Sequence, residues 1–252
     1  MKHQSRIDSL DLSAIAHQAM IDAGFVPDVP PSVLAELGSL ESHRQAVVAG
    51  SSARDLRSLL WSSIDDRKSR DLDQVEYAER LPNGDIRVQV GIADVDALVQ
   101  KGSAIDARAA VNGTSVYTGV RTFPMLPEQL STNMTSLVGG ADRSSIITEM
   151  IVASDGTVKS TDVYSALLHN YAKLSYEAVG AWLDNTGPIP PEVASVPKMD
   201  AQIRLQFEAA QHLRELRREH GALELETVEA SPGRAGLARA GGFSCAAQDC
   251  RP

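Results

Sequence analysis

The stretch Ile64-Asp65-Asp66-Arg67-Lys68-Ser69-Arg70-Asp71-Leu72-Asp73-Gln74 constrains this chain more than any other. It sets four carboxylates at the entrance of a β-hairpin. Carboxylates held close without a cation repel one another, so such a cluster is either a metal site or a solvated loop. Three of them, Asp65, Asp71 and Asp73, converge if the chain loops back after Asp65. Leu59–Ile64 leads in as a strand, Val75–Glu79 alternates, and Pro82-Asn83-Gly84-Asp85 supplies a turn into the alternating Ile86–Ile92. Two alternating runs around turn residues predict a hairpin. The carboxylates would then stand on a rigid frame.

The remaining pattern predicts an α+β fold: a mixed or antiparallel sheet with packed helices, preceded by a small helical segment over residues 1–52. Asp11 or Ser13 can cap a helix through Ile15, Ala19 and Ala23 that stops at Gly24. Pro27, Pro30 and Pro31 break it, and Ser32 starts a short second helix over Val33–Leu37. Ser103 can cap a helix over Ala104–Val111, and Thr114–Pro127 reads as irregular. Strands are expected over Ile146–Val152 and Val158–Leu167, joined by Ser154-Asp155-Gly156. Ser175 caps a helix through Val179, Trp182 and Leu183, and the proline-rich Asn185–Pro197 reads as a surface loop. Ala201–His220 carries Ile203, Phe207, Ala210 and Leu213 at helical spacing, with Gly221 as its stop.

Composition narrows the function classes. The net charge of −9 argues against a basic coat for nucleic acid, though not against one held in a channel beside a cation. No apolar run approaches the ~18 residues of a membrane span. Met1–Arg6 has no apolar signal core behind it, so a cytoplasmic protein is expected. The two cysteines, Cys245 and Cys250, exclude a disulfide-built fold and offer no zinc set.

The acidic stretch is not a calcium loop. With Asp65 first, Arg67 falls on the third, ligating position and Arg70 on the sixth, where an EF-hand requires glycine. Magnesium suits the spacing better, because it takes one or two carboxylates, several waters and substrate phosphate oxygens. Asp71 and Asp73 lie two apart and point the same way when extended.

From Trp61 to about Glu229 the chain resembles the catalytic RNB domain of the ribonuclease II / ribonuclease R family. The resemblance rests on Ile64-Asp65, Asp71-Leu72-Asp73, Gly91-Ile92-Ala93-Asp94-Val95, Gly113–Tyr117, Pro124–Ser131, Ala172–Glu177 and Gly221-Ala222-Leu223, in order. It implies a processive 3′-to-5′ exoribonuclease that hydrolyses single-stranded RNA to nucleoside 5′-monophosphates with Mg²⁺. It also implies four aspartates around the metal. Asp65, Asp71 and Asp73 match the first three, and Asp73 stands where the family's activity leans most. Gln74 occupies the fourth place, where its oxygen can still ligate but brings no charge. Tyr117 matches a tyrosine that stacks on the terminal base, a contact that needs no particular base. Arg121, four residues on, is the accompanying candidate for a phosphate contact, and Asp94 is read as structural.

The resemblance stops near Ala230. The family's later part supplies arginines that clamp RNA, and residues 1–230 carry −11 against +2 for residues 231–252. The expectation is a helical segment over 1–52, a partial RNB-like domain over 53–230, and a disordered or out-of-family tail. Two function classes follow: a Mg²⁺-dependent exoribonuclease, or a catalytically weak or inactive fragment that keeps RNA and metal binding. A generic α+β module with a solvated acidic loop is the third.

Overall fold

The computed structural model describes residues 11–49, 53–223, 228–233 and 244–249. Expectations for the first ten residues, for 234–243 and for Cys250 lie outside the described residues. In chain order the elements begin with α1 (Leu12–Asp22), α2 (Pro31–Ala49), β1 (Arg54–Asp55) and β2 (Trp61–Asp65). The hairpin β3 (Gln74–Arg80) and β4 (Ile86–Ala93) comes next, then α3 (Ala104–Asn112), β5 (Val116–Tyr117) and β6 (Thr122–Phe123). After a π-helical turn (Leu130–Met134) come β7 (Asp142–Val152), β8 (Val158–Ser175), α4 (Tyr176–Leu183), α5 (Pro191–Ala194) and α6 (Met199–Glu219). Two last strands, β9 (Val228–Gly233) and β10 (Ser244–Asp249), pair antiparallel.

The expected α+β class with a mixed sheet is what forms. Caps fall where polar side chains can meet the orphan N–H groups of a first turn. Asp11 accepts from Ser13 and Ala14, and Ser175 accepts from Ala178. Five details depart from the sequence reading. The second helix begins at Pro31 rather than Ser32, and Pro191 opens α5 inside the stretch expected to be loop. Proline suits the first helical position, where no N–H is needed. Thr114–Pro127 holds the small β5–β6 pair, and β8 runs on to Ser175 instead of ending at Leu167. The tail read as disordered contains strand at Ser231–Gly233 and Ser244–Asp249. A hairpin satisfies backbone groups by its own ladder, so it can form where few side chains are available to bury.

The chain divides into two compact units. One is drawn from Met1–Asp28, Arg108–Met125 and Ala222–Pro252, the other from Val29–Ala107 and Leu126–Gly221. Val33 and Leu37 of α2 are buried with Leu98, Val99, Ile105, Leu130 and Met134, all within the second unit.

The second unit is built on one sheet, ordered β1-β8-β2-β3-β4-β7, with a further pairing of β7 to β8. Strand β8 is long enough to pair twice. Its earlier part runs antiparallel to β7, and its end runs parallel to β2. The pairings therefore return to their starting strand and the sheet closes on itself, which removes most exposed edges. Inside lie Trp61, Leu72, Val75, Leu137, Ile147, Ala166 and Leu168. The opposite face carries Ala172, Leu174, Val179, Trp182, Val193, Met199 and Ile203, packed with α4, α5 and α6. Where β3 runs past β2 and lacks a partner on that side, Gln202 of α6 stands in. Its amide accepts from Ala78 N–H at 3.0 Å and donates to Ala78 C=O at 2.6 Å.

Gly91 of β4 is needed inside this closed sheet. A Cβ there would stand 2.8 Å from Leu168 Cδ2, 3.1 Å from Val75 Cγ2 and 3.2 Å from Ile147 Cδ1. Overpacking a filled core costs about 1–3 kcal/mol. Gly91→Val is expected to lose that much in urea unfolding, and an unchanged midpoint would refute the tight contact.

Candidate active site

Asp65 ends β2. Its register partner across the parallel pairing is Ser175, the cap of α4, so Asp65 and Tyr176 stand at the same end of the sheet. Asp65 Oδ1 accepts from the N–H of Asp66 at 2.6 Å as the chain turns away. Asp66 Oδ1 accepts from Lys68 N–H at 3.0 Å, and Ser69 N–H closes a turn onto Asp66 C=O. The chain then returns to Asp73, directly before β3. Asp73 C=O accepts from Ala93 N–H at 2.8 Å at the end of β4. Asp71, Asp73 and Gln74 are exposed and Asp65 is half-buried.

The loop is fastened from outside. Leu72, between Asp71 and Asp73, is buried in the sheet interior. Its N–H donates to Ser136 Oγ at 3.0 Å, and its C=O accepts from Leu137 N–H at 2.7 Å. Lys173 Nζ reaches Ser69 C=O, and Arg70 pairs loosely with Glu128 at 3.5 Å.

Electrostatics tie the pieces together. Tyr176 is held protonated above the usual phenol range, first by burial and then by the charges of Asp65, Glu76 and Asp73. Asp65 from β2 and Asp73 from the head of β3 thus act on one phenol, although the loop separates them in sequence. Sequence reasoning did not single out Tyr176, whose signals were its place directly after a helix cap and within the motif Ala172–Glu177. It also missed Glu76, two residues beyond Gln74 on the same face of β3 and opposite Ser62 of β2. Burial, and then the Asp73 charge, push the Glu76 carboxyl up to about 7. Among the described residues neither Glu76 Oε2 nor the fully buried Ser62 Oγ has a hydrogen-bond partner.

Among the described residues no group of three Asp, Glu, His or Cys converges closely enough to hold a metal ion. The expected grouping of Asp65, Asp71, Asp73 and Gln74 is therefore not a closed cage. The donor chemistry fits magnesium nonetheless, because that ion is commonly held by one or two carboxylates, with water and substrate oxygens completing its shell. Asp65 and Asp73 are the pair the fold brings to one place. Asp94 accepts from Ala97 N–H at 3.2 Å and from Ser144 Oγ at 3.2 Å.

Tyr117 and Arg121 belong to the other unit. Tyr117 is 69 % exposed at the β5–β6 hairpin. Thr118 and Arg121 close its turn, with Thr118 N–H donating to Arg121 C=O at 3.2 Å. The Arg121 guanidinium lies 4.8 Å from the centroid of the Phe123 ring, a cation–π distance. Below the hairpin, the buried Arg108 donates to the carbonyls of Val26, Asp28, Pro124 and Met125.

Among the described residues no helix is long and apolar enough to cross a membrane. The chain matches the family model described as RNB domain over residues 53–233. It is 34% identical to Ribonuclease R of Thermotoga maritima over 224 residues, covering 88% of this chain and 30% of that protein. It is also 34% identical to Exoribonuclease 2 of Escherichia fergusonii over 168 residues, 66% of this chain and 26% of that one. The chain thus spans less than a third of the length of either relative. The solved Mycoplasma genitalium RNase R in complex with ribose methylated single-stranded RNA shares the fold, with a TM-score of 0.77 at 24% identity. That alignment covers 95% of this chain and 36% of the other. With the model matched across most of its length, and with the closed sheet and acidic loop in place, the chain belongs to the RNB domain family.

Proposed function

We propose that this chain carries the acidic half of a magnesium-dependent 3′-to-5′ exoribonuclease active site, acting on single-stranded RNA and releasing nucleoside 5′-monophosphates in the cytoplasm. The observation that carries the reading is the antiparallel β2–β3 pairing, which brings Asp65 at the end of β2 beside Asp73 at the head of β3. Magnesium, when bound, would supply positive charge against the phosphate and activate water for phosphodiester hydrolysis. Asp65 and Asp73 would hold it, with Asp71 and Gln74 as further oxygen donors of the same loop. Tyr176, kept protonated, offers an O–H donor to a substrate oxygen beside those carboxylates. Tyr117 presents an exposed ring for base stacking, which tolerates any base. Arg121 adds a positive charge on the same hairpin.

Gln74 and the open donor set favour a second reading: a catalytically weak or inactive member that keeps RNA and metal binding. Labelled single-stranded RNA incubated with the chain in Mg²⁺ separates the two. Mononucleotide release is expected in Mg²⁺ and not in EDTA. Asp73→Asn is expected to cut it by ~10²–10³-fold, since a bound cation is worth several kcal/mol of transition-state stabilisation. Release that survives Asp73→Asn would sink the mechanism, and no release under any condition would favour the second reading.

A further inference from the structure

The acidic loop has little structure of its own between the end of β2 and the start of β3. What holds it near Asp71 is a buried hydroxyl from elsewhere in the chain. Ser136 is 1% exposed and lies just beyond the π-helical turn Leu130–Met134. Its Oγ accepts from Leu72 N–H at 3.0 Å and donates to Arg70 C=O at 3.2 Å. The two backbone groups flank Asp71, so one side chain fixes the backbone on both sides of that residue. Leu137, next in sequence, donates its N–H to Leu72 C=O at 2.7 Å.

Ser136 is itself held. The buried Arg143 of β7 donates Nε to Ser136 C=O at 2.9 Å and a terminal nitrogen to Asn133 C=O at 3.0 Å. Arginine presents its donors in a rigid fork, and these two carbonyls fit it. One of these carbonyls, Asn133, lies in the π-helical turn, and the other, Ser136, lies just beyond it. Such turns often sit at functional sites, because the extra residue re-aims the segment beyond it. The hydrogen bonds therefore run from the sheet, through Arg143 and Ser136, to the backbone between Arg70 and Leu72.

We propose that Ser136, braced by Arg143, is a positioning residue that sets the placement of Asp71 and Asp73 for cation binding. This rests on the proposed metal-dependent function. The groups that orient ligands from behind commonly change metal affinity by 10–100-fold when lost. Ser136 touches no reacting atom and acts only through the loop.

The test compares Ser136→Ala with Thr135→Ala in the full chain, with Asp73→Asn as reference. Thr135 is a fair control: it is buried next door, and its Oγ1 donates to Leu130 C=O at 3.0 Å without touching the loop. Mn²⁺ affinity is read by electron paramagnetic resonance, and backbone amide exchange at Leu72 and Asp73 is read without metal. Ser136→Ala is expected to weaken Mn²⁺ binding roughly tenfold or more. It should also speed exchange at Leu72 about tenfold, since that amide loses its acceptor. Thr135→Ala should do neither, even where its melting temperature falls equally. Equal behaviour of the two variants in both readouts would overturn the proposal. Should the parent chain bind Mn²⁺ no better than Asp73→Asn, the metal reading fails, and the exchange data still decide whether Ser136 places the loop.

Discussion

Glu76→Gln is expected to make the metal-free chain ~3 kcal/mol more stable at pH 8 and to change little at pH 4. Each pKa step of one is worth about 1.4 kcal/mol, and burial with the Asp73 charge lifts this carboxyl from 4.5 to about 7. The folded chain therefore keeps a proton that the unfolded chain has already released across that window. Stability is full below 4.5, falls as pH rises toward about 7, and levels off above it. Glutamine has the same shape and no charge, so it removes the fall. Urea unfolding of both chains at pH 4, 6 and 8 in EDTA measures this. A stability difference independent of pH would show that Glu76 does not titrate as its burial requires. Asp73→Asn should move the transition downward, because it removes the second cause of the raised value.

Trp61→Ala is expected to cost about 3–5 kcal/mol, the usual range for deleting a buried tryptophan. Trp61 is fully buried, its Nε1–H donates to Leu56 C=O at 2.9 Å, and its ring lies 5.9 Å from that of Tyr77. It also starts β2 and shares a core with Leu72. One residue thus supports the strand that ends at Asp65 and the loop that carries Asp71 and Asp73. Against a typical total stability of about 5–15 kcal/mol, the loss brings the chain close to unfolding. Denaturation followed by circular dichroism, and by the fluorescence of the remaining Trp182, reads the effect. Trp61→Phe should recover a large part of it. A loss below about 1 kcal/mol would refute a shared core.

Much of the local structure is legible in the residues alone. The β3–β4 hairpin comes from two alternating runs around Asn83-Gly84, and α6 from its helical spacing with Gly221 behind it. The helix after Ser175 comes from one capping hydroxyl. Each of these signals lies within a few residues, where turn and capping geometry act directly. Misreadings arise where one residue type serves two ends. Pro31 and Pro191 read locally as breakers, yet each stands at the start of a helix. The full length of β8 is legible in principle, since buried residues alternate through Ala166, Leu168, Asn170, Ala172 and Leu174.

The chain's sequence by itself determined the acidic motif, its substitution at Gln74, the hairpin beneath it and the family likeness. It did so because ligand type, spacing and turn chemistry are written in consecutive residues. Only the tertiary structure decided which carboxylates meet. Asp65 faces the α4 cap because β2 pairs with the far end of β8. Glu76 is raised because the fold buries it and sets it beside Asp73, and the backbone on either side of Asp71 is held because Ser136 arrives from far along the chain. Burial and charge proximity depend on partners distant in sequence, and no local pattern encodes which partner will arrive.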